Sequence, residues 1–187
     1  VSDLLLRPLA LGDEDQVTAA VAEFAAEGGE WSYRYRGDLP WAEYVRLVHG
    51  WEHGVELPDG FVAHAELVAE VDGEIVGRTS IRWDLNEFLS ALGGHIGYAV
   101  RPAHRRQGHA TEILRQSVDV LRERGVHRIL VTCDDDNLAS ARVIEACGGV
   151  LEGVVPHWDA DQPPRRRYWI TGSAGGPPAR RTSARRP

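Results

Sequence analysis

The chain has 187 residues, a length that suits one compact domain with a sizeable core. Hydrophobic residues make up 43% and charged residues 26%, and no apolar run reaches the roughly 18 residues of a membrane span. A net charge of −7 argues against a nucleic-acid surface, and two cysteines, Cys133 and Cys147, form neither a disulfide framework nor a zinc spacing.

Residues 4–9 read as a short buried strand. Asp13 then opens an amphipathic helix with Val17, Val21 and Phe24 on one face and acids in its first turn. Pro40 and Trp41 begin a second helix that runs to about Trp51. Residues 61–71 and 74–83 are extended runs on either side of Asp72 and Gly73, a dipeptide suited to a two-residue hairpin turn, so they should pair antiparallel. A turn region over 85–93 leads into a strand over 95–100. Gly108 opens a helix to about Arg124 whose inner face carries Ala110, Ile113, Leu114, Ser117 and Leu121, and Gly125 ends it. A strand over 128–133, a helix over 138–147, a strand over 149–155 and a short last strand over 168–171 complete the pattern.

Hairpins first and strand–helix alternation later indicate an α+β fold in α/β/α layers, with a mixed, mostly antiparallel twisted sheet flanked by helices. Residues 1–171 form one domain. Residues 172–187 hold Gly, Pro, Ser and four arginines, cannot bury a core, and are expected to be a disordered basic tail. Without those arginines the rest is more acidic still, a background that either favours a cationic acceptor or simply keeps the surface soluble. The start of the chain has no stretch of the signal-peptide kind, and the expected compartment is the reducing cytoplasm.

The informative stretch runs from Ile96 through Gly97, Tyr98, Ala99, Val100, Arg101 and Pro102 into the loop Arg105, Arg106, Gln107, Gly108, His109, Ala110 and Thr111. A strand enters a loop with glycine at its turn, and a helix starts at once. Unpaired N–H groups and the positive end of the macrodipole make such a start an anion site, above all for phosphate oxygens. Gly108 and Ala110 keep the approach free of side chains, and two guanidinium groups add charge-assisted donors. The bland reading is a strand-to-helix turn with solvated arginines. A nucleotide-binding loop would need Gly-Lys-Ser/Thr or Gly-x-Gly-x-x-Gly, and neither is present.

This loop resembles the pyrophosphate-binding segment of the GNAT acyltransferases, Arg/Gln-x-x-Gly-x-Gly/Ala, with Arg105, Gly108 and Ala110 in its three defined positions. Asn137, Leu138, Ala139 and Ser140, closing at Gly148 and Gly149, look like the family's Asn-x-x-Ser/Ala segment. Asn137 fits a helix N-cap as well as a pantetheine contact. The resemblance extends over nearly residues 4–171 and is closest to a bacterial subgroup with Leu-Asn-Glu before the fourth strand and Arg-Tyr-Trp-Ile at the end. Here those are Leu85, Asn86, Glu87 and Arg167, Tyr168, Trp169, Ile170.

The resemblance implies an acyl-CoA N-acyltransferase fold that moves an acetyl group from acetyl-CoA to a primary amine of a small molecule or peptide, with no metal, nucleic acid or membrane. It implies that CoA sits on Ala99, Val100, Arg105, Arg106, Gln107, Gly108, His109, Ala110, Thr111, Asn137 and Ser140. An N–H near Ala99 or Val100 would polarise the thioester carbonyl. Family members often dimerise, which leaves a homodimer open. Many also place a tyrosine general acid seven residues after the asparagine, and here Ile144 stands there. Tyr98, Ser140 and Cys133 could approach the sulfur instead. Glu87, His95 or a water relay could take the ammonium proton, since histidine titrates in the useful range and a glutamate can be raised toward it. The missing tyrosine also suits a second reading, a catalytically weak or inactive acyl-CoA sensor.

Trp31, Tyr33, Tyr35, Trp41, Tyr44 and Trp51 fall where the family builds its acceptor wall, and could cage an amine or pack helices. Asp134, Asp135 and Asp136 could draw a cation or simply suit a helix start. The eight histidines show no HExxH spacing.

Overall fold

The computed structural model describes residues 3–31, 35 and 39–172; Tyr33 and the basic tail lie outside them. The elements are β1 (Leu5–Pro8), α1 (Glu14–Ala26), α2 (Trp41–Trp51), β2 (His64–Val71), β3 (Glu74–Arg82), β4 (Ile96–Val100), α3 (His109–Glu123), β5 (Arg128–Asp134), α4 (Leu138–Ala146), β6 (Gly149–Val155) and β7 (Arg165–Thr171). They build one seven-stranded sheet in the order β1-β2-β3-β4-β5-β7-β6. Every pairing is antiparallel except β4 with β5.

The hairpin forms as its dipeptide requires. Asp72 and Gly73 both take positive φ, 51° and 82°, the left-handed pair that matches strand twist, and Val71 faces Glu74 across the turn. Asp13 plays a larger part than a helix opener. A short 3-10 turn, Leu11–Asp13, precedes α1, and the buried Asp13 carboxylate accepts from the Ala10 N–H at 2.8 Å. It also takes a two-pronged contact from Arg7 at 2.7 and 2.8 Å, while Arg7 Nε reaches Glu70 at 2.6 Å. Burial alone would raise the Asp13 carboxyl, but the Arg7 guanidinium and the Ala10 amide outweigh it and hold it low.

Helices cover both faces of the sheet. α1 and α2 pack on the Val68 side through Val17, Ala20, Tyr44, Val45 and Val48. α3 and α4 pack on the opposite side against Ile81, Ile96, Ile129, Val131 and Tyr168, through Leu114, Val118, Leu121, Ala141 and Ile144. Each such fully buried aliphatic contributes about 1.5–3 kcal/mol from area removed from water. The α3 stripe follows from its 3-4 spacing, and Gly125 at φ 84° closes the helix with Val126 N–H bonding back to Leu121. Trp31, Tyr35, Trp41, Tyr44 and Trp51 are all buried. Tyr35 lies 5.2 Å from Trp41 and 5.0 Å from Tyr44, so these buried rings pack onto α2 as core and form no open cage among themselves.

Two segments differ from the sequence reading. The 85–93 region is helical rather than a plain turn, ending in a π-turn over Leu89–Gly93. The Asn86 side chain accepts from the Leu89 N–H at 2.9 Å and donates to Gly60 at 2.8 Å, which starts and anchors it. β7 begins at Arg165, three residues earlier than expected, because Arg165 and Arg166 pair with Asp134 and Asp135 across the sheet. Three successive arginines carry no apolar alternation, so their strand was invisible to a hydrophobic pattern. Arg167 then donates to the Ser90 and Ala91 carbonyls, tying the Arg-Tyr-Trp-Ile segment to the π-turn that follows Leu-Asn-Glu.

Candidate active site

The site is a fork in the sheet. β4 and β5 register only at Ile96 and Val131, with His95 N–H reaching the Leu130 carbonyl at 2.8 Å, and beyond that point they part. On its other edge β4 stays paired with β3 from Ile96 to Val100. Arg82 N–H bonds to His95 and Arg101 N–H bonds to Val76, so alternation turns the Ala99 amide toward β3 and the Tyr98 and Val100 amides toward the open gap.

A cleft of about 460 Å³ runs from the head of α3 into this fork. Tyr98, Ala99 and Val100 line it from β4, and Asn137, Ser140 and Val143 from the α4 side. The loop contributes His104, Arg105, Arg106, Gly108, His109, Ala110 and Thr111. Gln107 does not line it; its side chain donates to the Ala103 carbonyl at 3.2 Å. Ala139 and Val143 belong to the Asn137 segment and the helix it opens, whereas nothing in the sequence pattern marked His104.

The cradle is built from backbone. Arg106 and Gly108 both take positive φ, 63° and 88°, which curls the chain so that successive N–H groups converge, and the Thr111 and Glu112 amides return to the Gly108 carbonyl. The amides of His109 and Ala110 precede any helical acceptor and open outward. A Cβ at Gly108 would meet no protein atom within 4 Å, so glycine is required by the left-handed backbone and not by internal crowding.

The two arginines are not equivalent. Arg105 pairs with Glu27 at 2.7 Å, donates to the Val100 carbonyl at 3.2 Å and covers the Phe24 ring, which fixes it against α1. Arg106 is exposed on the cleft. His104 and His109 approach each other at 6.4 Å, and burial together with the neighbouring His104 pushes the His109 imidazole below its ordinary value.

A second cavity of about 250 Å³ opens on the other side of the fork, under the π-turn. Tyr98, Asn137 and Ser140 line both cavities. Tyr98 Oη stands 2.7 Å from Ser140 Oγ, and burial pushes its phenol up to about 12, with the Ser140 contact offsetting part of that. Tyr98 is therefore protonated at neutral pH and can donate but not abstract a proton. Asn137 is an N-cap, its side-chain oxygen accepting from Ser140 N–H at 3.0 Å. Cys133 lines the second cavity with its thiol raised by burial.

Ile144 is fully buried in the core between α4 and the sheet. His95 is also buried; its Nδ1 accepts from the Leu130 N–H at 2.9 Å, and burial pushes the imidazole down. Glu87 is exposed at the start of the helical segment, beside Phe88, which lines the second cavity. Asp134 is matched by Arg165 at 2.8 Å and Asp135 by Arg166 at 2.8 Å, so two of the three adjacent acids are neutralised locally. Among the described residues no group of three or more His, Cys, Asp or Glu side chains could hold a metal, and no helix is long and apolar enough to cross a membrane.

The family model for the acetyltransferase (GNAT) domain matches residues 3–150. An uncharacterized N-acetyltransferase of Bacillus subtilis (strain 168), YjdG, is 31% identical over 139 residues, 69% of this chain and 79% of that protein. The fold is similar to that of yncA from Salmonella typhimurium, described as a putative acetyltransferase with its cofactor acetyl-CoA. That likeness has TM-score 0.62 and 16% identity, over 94% of this chain and 98% of the other. It is also similar to Mycobacterium smegmatis RimJ in complex with CoA-disulfide, at TM-score 0.68 and 22% identity, over 90% of this chain and 81% of the other.

Proposed function

The chain belongs to the GNAT acetyltransferase family of acyl-CoA-dependent enzymes, and on that premise we propose that it moves an acetyl group from acetyl-CoA directly to a primary amine of a small molecule or peptide. The observation that carries this reading is the junction of the two cavities at Tyr98, Asn137 and Ser140, where β4 leaves β5. A donor in one cavity and an acceptor in the other meet at these three residues.

The residues present suit CoA. The curled backbone of 106–110 offers convergent amides to a diphosphate, with Arg106 beside them and Arg105 braced by Glu27. The gap between β4 and β5 offers the unpaired Tyr98 and Val100 edge to the amides of a pantetheine arm. Acetyl-CoA supplies an activated acyl group. The amine nitrogen forms the new C–N bond as the C–S bond breaks, the amine loses one proton and the thiolate gains one. The Tyr98 or Val100 N–H polarises the thioester carbonyl. Tyr98, held by Ser140, donates to the departing sulfur and takes over the role that Ile144 cannot fill. The ammonium, of pKa about 10, must first lose a proton. His95 has its Nδ1 committed to Leu130, so the exposed Glu87, acting through water, is the base of this proposal.

Titration calorimetry with CoA and thiol release over a chemically diverse amine panel test the reading. Charge reversal at Arg106 should weaken CoA more than reversal at Arg105, whose guanidinium is partly spent on Glu27. No CoA affinity, or no effect of either reversal, would reject it; binding without turnover across the panel would favour an acyl-CoA sensor. Glu87→Gln should lower kcat more than it raises the KM for acetyl-CoA, and an unchanged kcat would remove Glu87 from the mechanism.

A further inference from the structure

The donor cleft holds two imidazoles whose charge plays no part in the acetyl-transfer reading. His104 ends the short 3-10 turn Pro102–His104 and His109 is the first residue of α3, and both line the cleft. The positive φ of Arg106 and of Gly108 folds the loop between them back on itself, which sets the two half-buried rings 6.4 Å apart. His104 Nε2 lies 3.3 Å from the Glu74 carboxylate of β3. Among the described residues none hydrogen-bonds or ion-pairs with the His109 ring. The other acids near the pair already have partners. From α1, Glu23 takes Arg101 at 2.9 Å and Glu27 takes Arg105 at 2.7 Å. On α3, Glu112 is held by Arg115 at 2.6 Å and by Gln116 at 2.7 Å. The α4 side lines the cleft with Asn137, Ala139, Ser140 and Val143, none of them charged, and Cys147 beyond it turns its thiol to the Thr111 carbonyl. Tyr98 of β4 stays protonated. What remains around His109 is positive: Arg106, the leading end of α3, and His104 when it is charged. Burial and the neighbouring His104 accordingly push the His109 imidazole down, so a proton on it is disfavoured while the cleft holds no anion.

We propose that a diphosphate enters this cleft together with a proton, which His109 takes up. Solvent gives up the proton, the imidazole becomes imidazolium, and its N–H donates to a phosphate oxygen. The negative charge of the diphosphate offsets both the burial and the repulsion from His104. This deepens the CoA-binding reading and rests on it. By linkage, affinity is complete where His109 is protonated even without the anion, and it is lost as pH rises through the higher value of the complex. Donor binding then strengthens as pH falls, whereas the unprotonated, reactive fraction of the amine acceptor grows as pH rises.

Dephospho-CoA is the probe, because the 3′-phosphate of CoA loses its own second proton near pH about 6 and would obscure the count. Calorimetric titration in Mops and in Tris, buffers of different ionisation enthalpy, measures the protons taken up on binding, and a series from pH about 6 to about 8 gives the trend in affinity. The expected result is a net uptake of part of a proton and an affinity at least about tenfold weaker at the alkaline end, as for an opposite charge brought beside an ionisable ring. His109→Asn should remove the uptake and hold the affinity near the alkaline value of the parent at every pH. His104→Asn should keep the uptake and move it to higher pH, since the repulsion on His109 is gone. If melting curves show that His109→Asn does not fold, His109→Gln carries the test. Binding without uptake, release of protons, uptake unchanged in the His109 variant, or uptake abolished by His104→Asn overturns the inference while leaving CoA binding standing. Affinity for CoA with none for dephospho-CoA also overturns it, because the 3′-phosphate would then carry the binding. No affinity for either at any pH removes the functional reading beneath it.

Discussion

Removing the hydroxyl of Tyr98 tests the proton donor proposed for the fork. Tyr98→Phe keeps the ring that lines both cavities and deletes one oxygen, 2.7 Å from Ser140 Oγ. Losing that hydrogen bond should cost about 1 kcal/mol of stability, because Ser140 is only half-buried and its hydroxyl can turn to water. General acid catalysis contributes about 10²–10⁴ in rate where the leaving group needs it. A thiolate of pKa about 8.5 is a good leaving group already, so the lower end applies and kcat should fall by about 10². The KM for acetyl-CoA should stay within about twofold, since the phosphate cradle and the Val100 edge are untouched. Steady-state thiol release with the best amine of the panel, alongside a melting curve, reads both effects. A kcat within about twofold of the parent in a folded variant would refute Tyr98 as the donor.

Other outcomes follow from the same geometry. Gly108→Ala places a Cβ on a backbone at φ 88°, which costs about 1–2 kcal/mol by calorimetric melting although the methyl meets no protein atom. The same methyl projects into the donor cleft, so CoA affinity should fall by about tenfold or more in titration calorimetry; an unchanged affinity would place the diphosphate elsewhere. Burial pushes the His95 imidazole below its ordinary value, and its Nδ1 accepts the Leu130 N–H. Its folded-state value is depressed, so its contribution to stability is complete above the ordinary histidine value of about 6.5 and is lost as pH falls below it. Urea unfolding across that window should show the slope, and His95→Asn should flatten it. Ile144→Tyr should not create a second acid. Ile144 is fully buried, and its Cγ2 lies so near Gly149 that a Cβ there would stand at 2.5 Å. Overpacking should cost about 1–3 kcal/mol in melting with no gain in turnover.

The order of strands and helices, the Asp72-Gly73 hairpin, the inner face of α3 and the glycine-bearing loop before it are written in local residue choice. Each depends on neighbours a few positions away: a turn dipeptide, a 3-4 apolar spacing, a glycine at a left-handed position. The curled backbone at 106–110 was legible for the same reason, being a run of consecutive residues turned by a glycine. What sequence could not supply was anything that arises where distant segments meet. Arg105 looked like a free phosphate ligand until α1 brought Glu27 to it. His95 looked like a base until β5 placed the Leu130 amide on its ring. Tyr98 and Ser140, 42 positions apart, become hydrogen-bonded partners only when α4 is laid over the fork. Local conformational preference acts over a few bonds and can be read along the chain. Electrostatics and packing act through space, and their partners are chosen by how strands pair and helices cross.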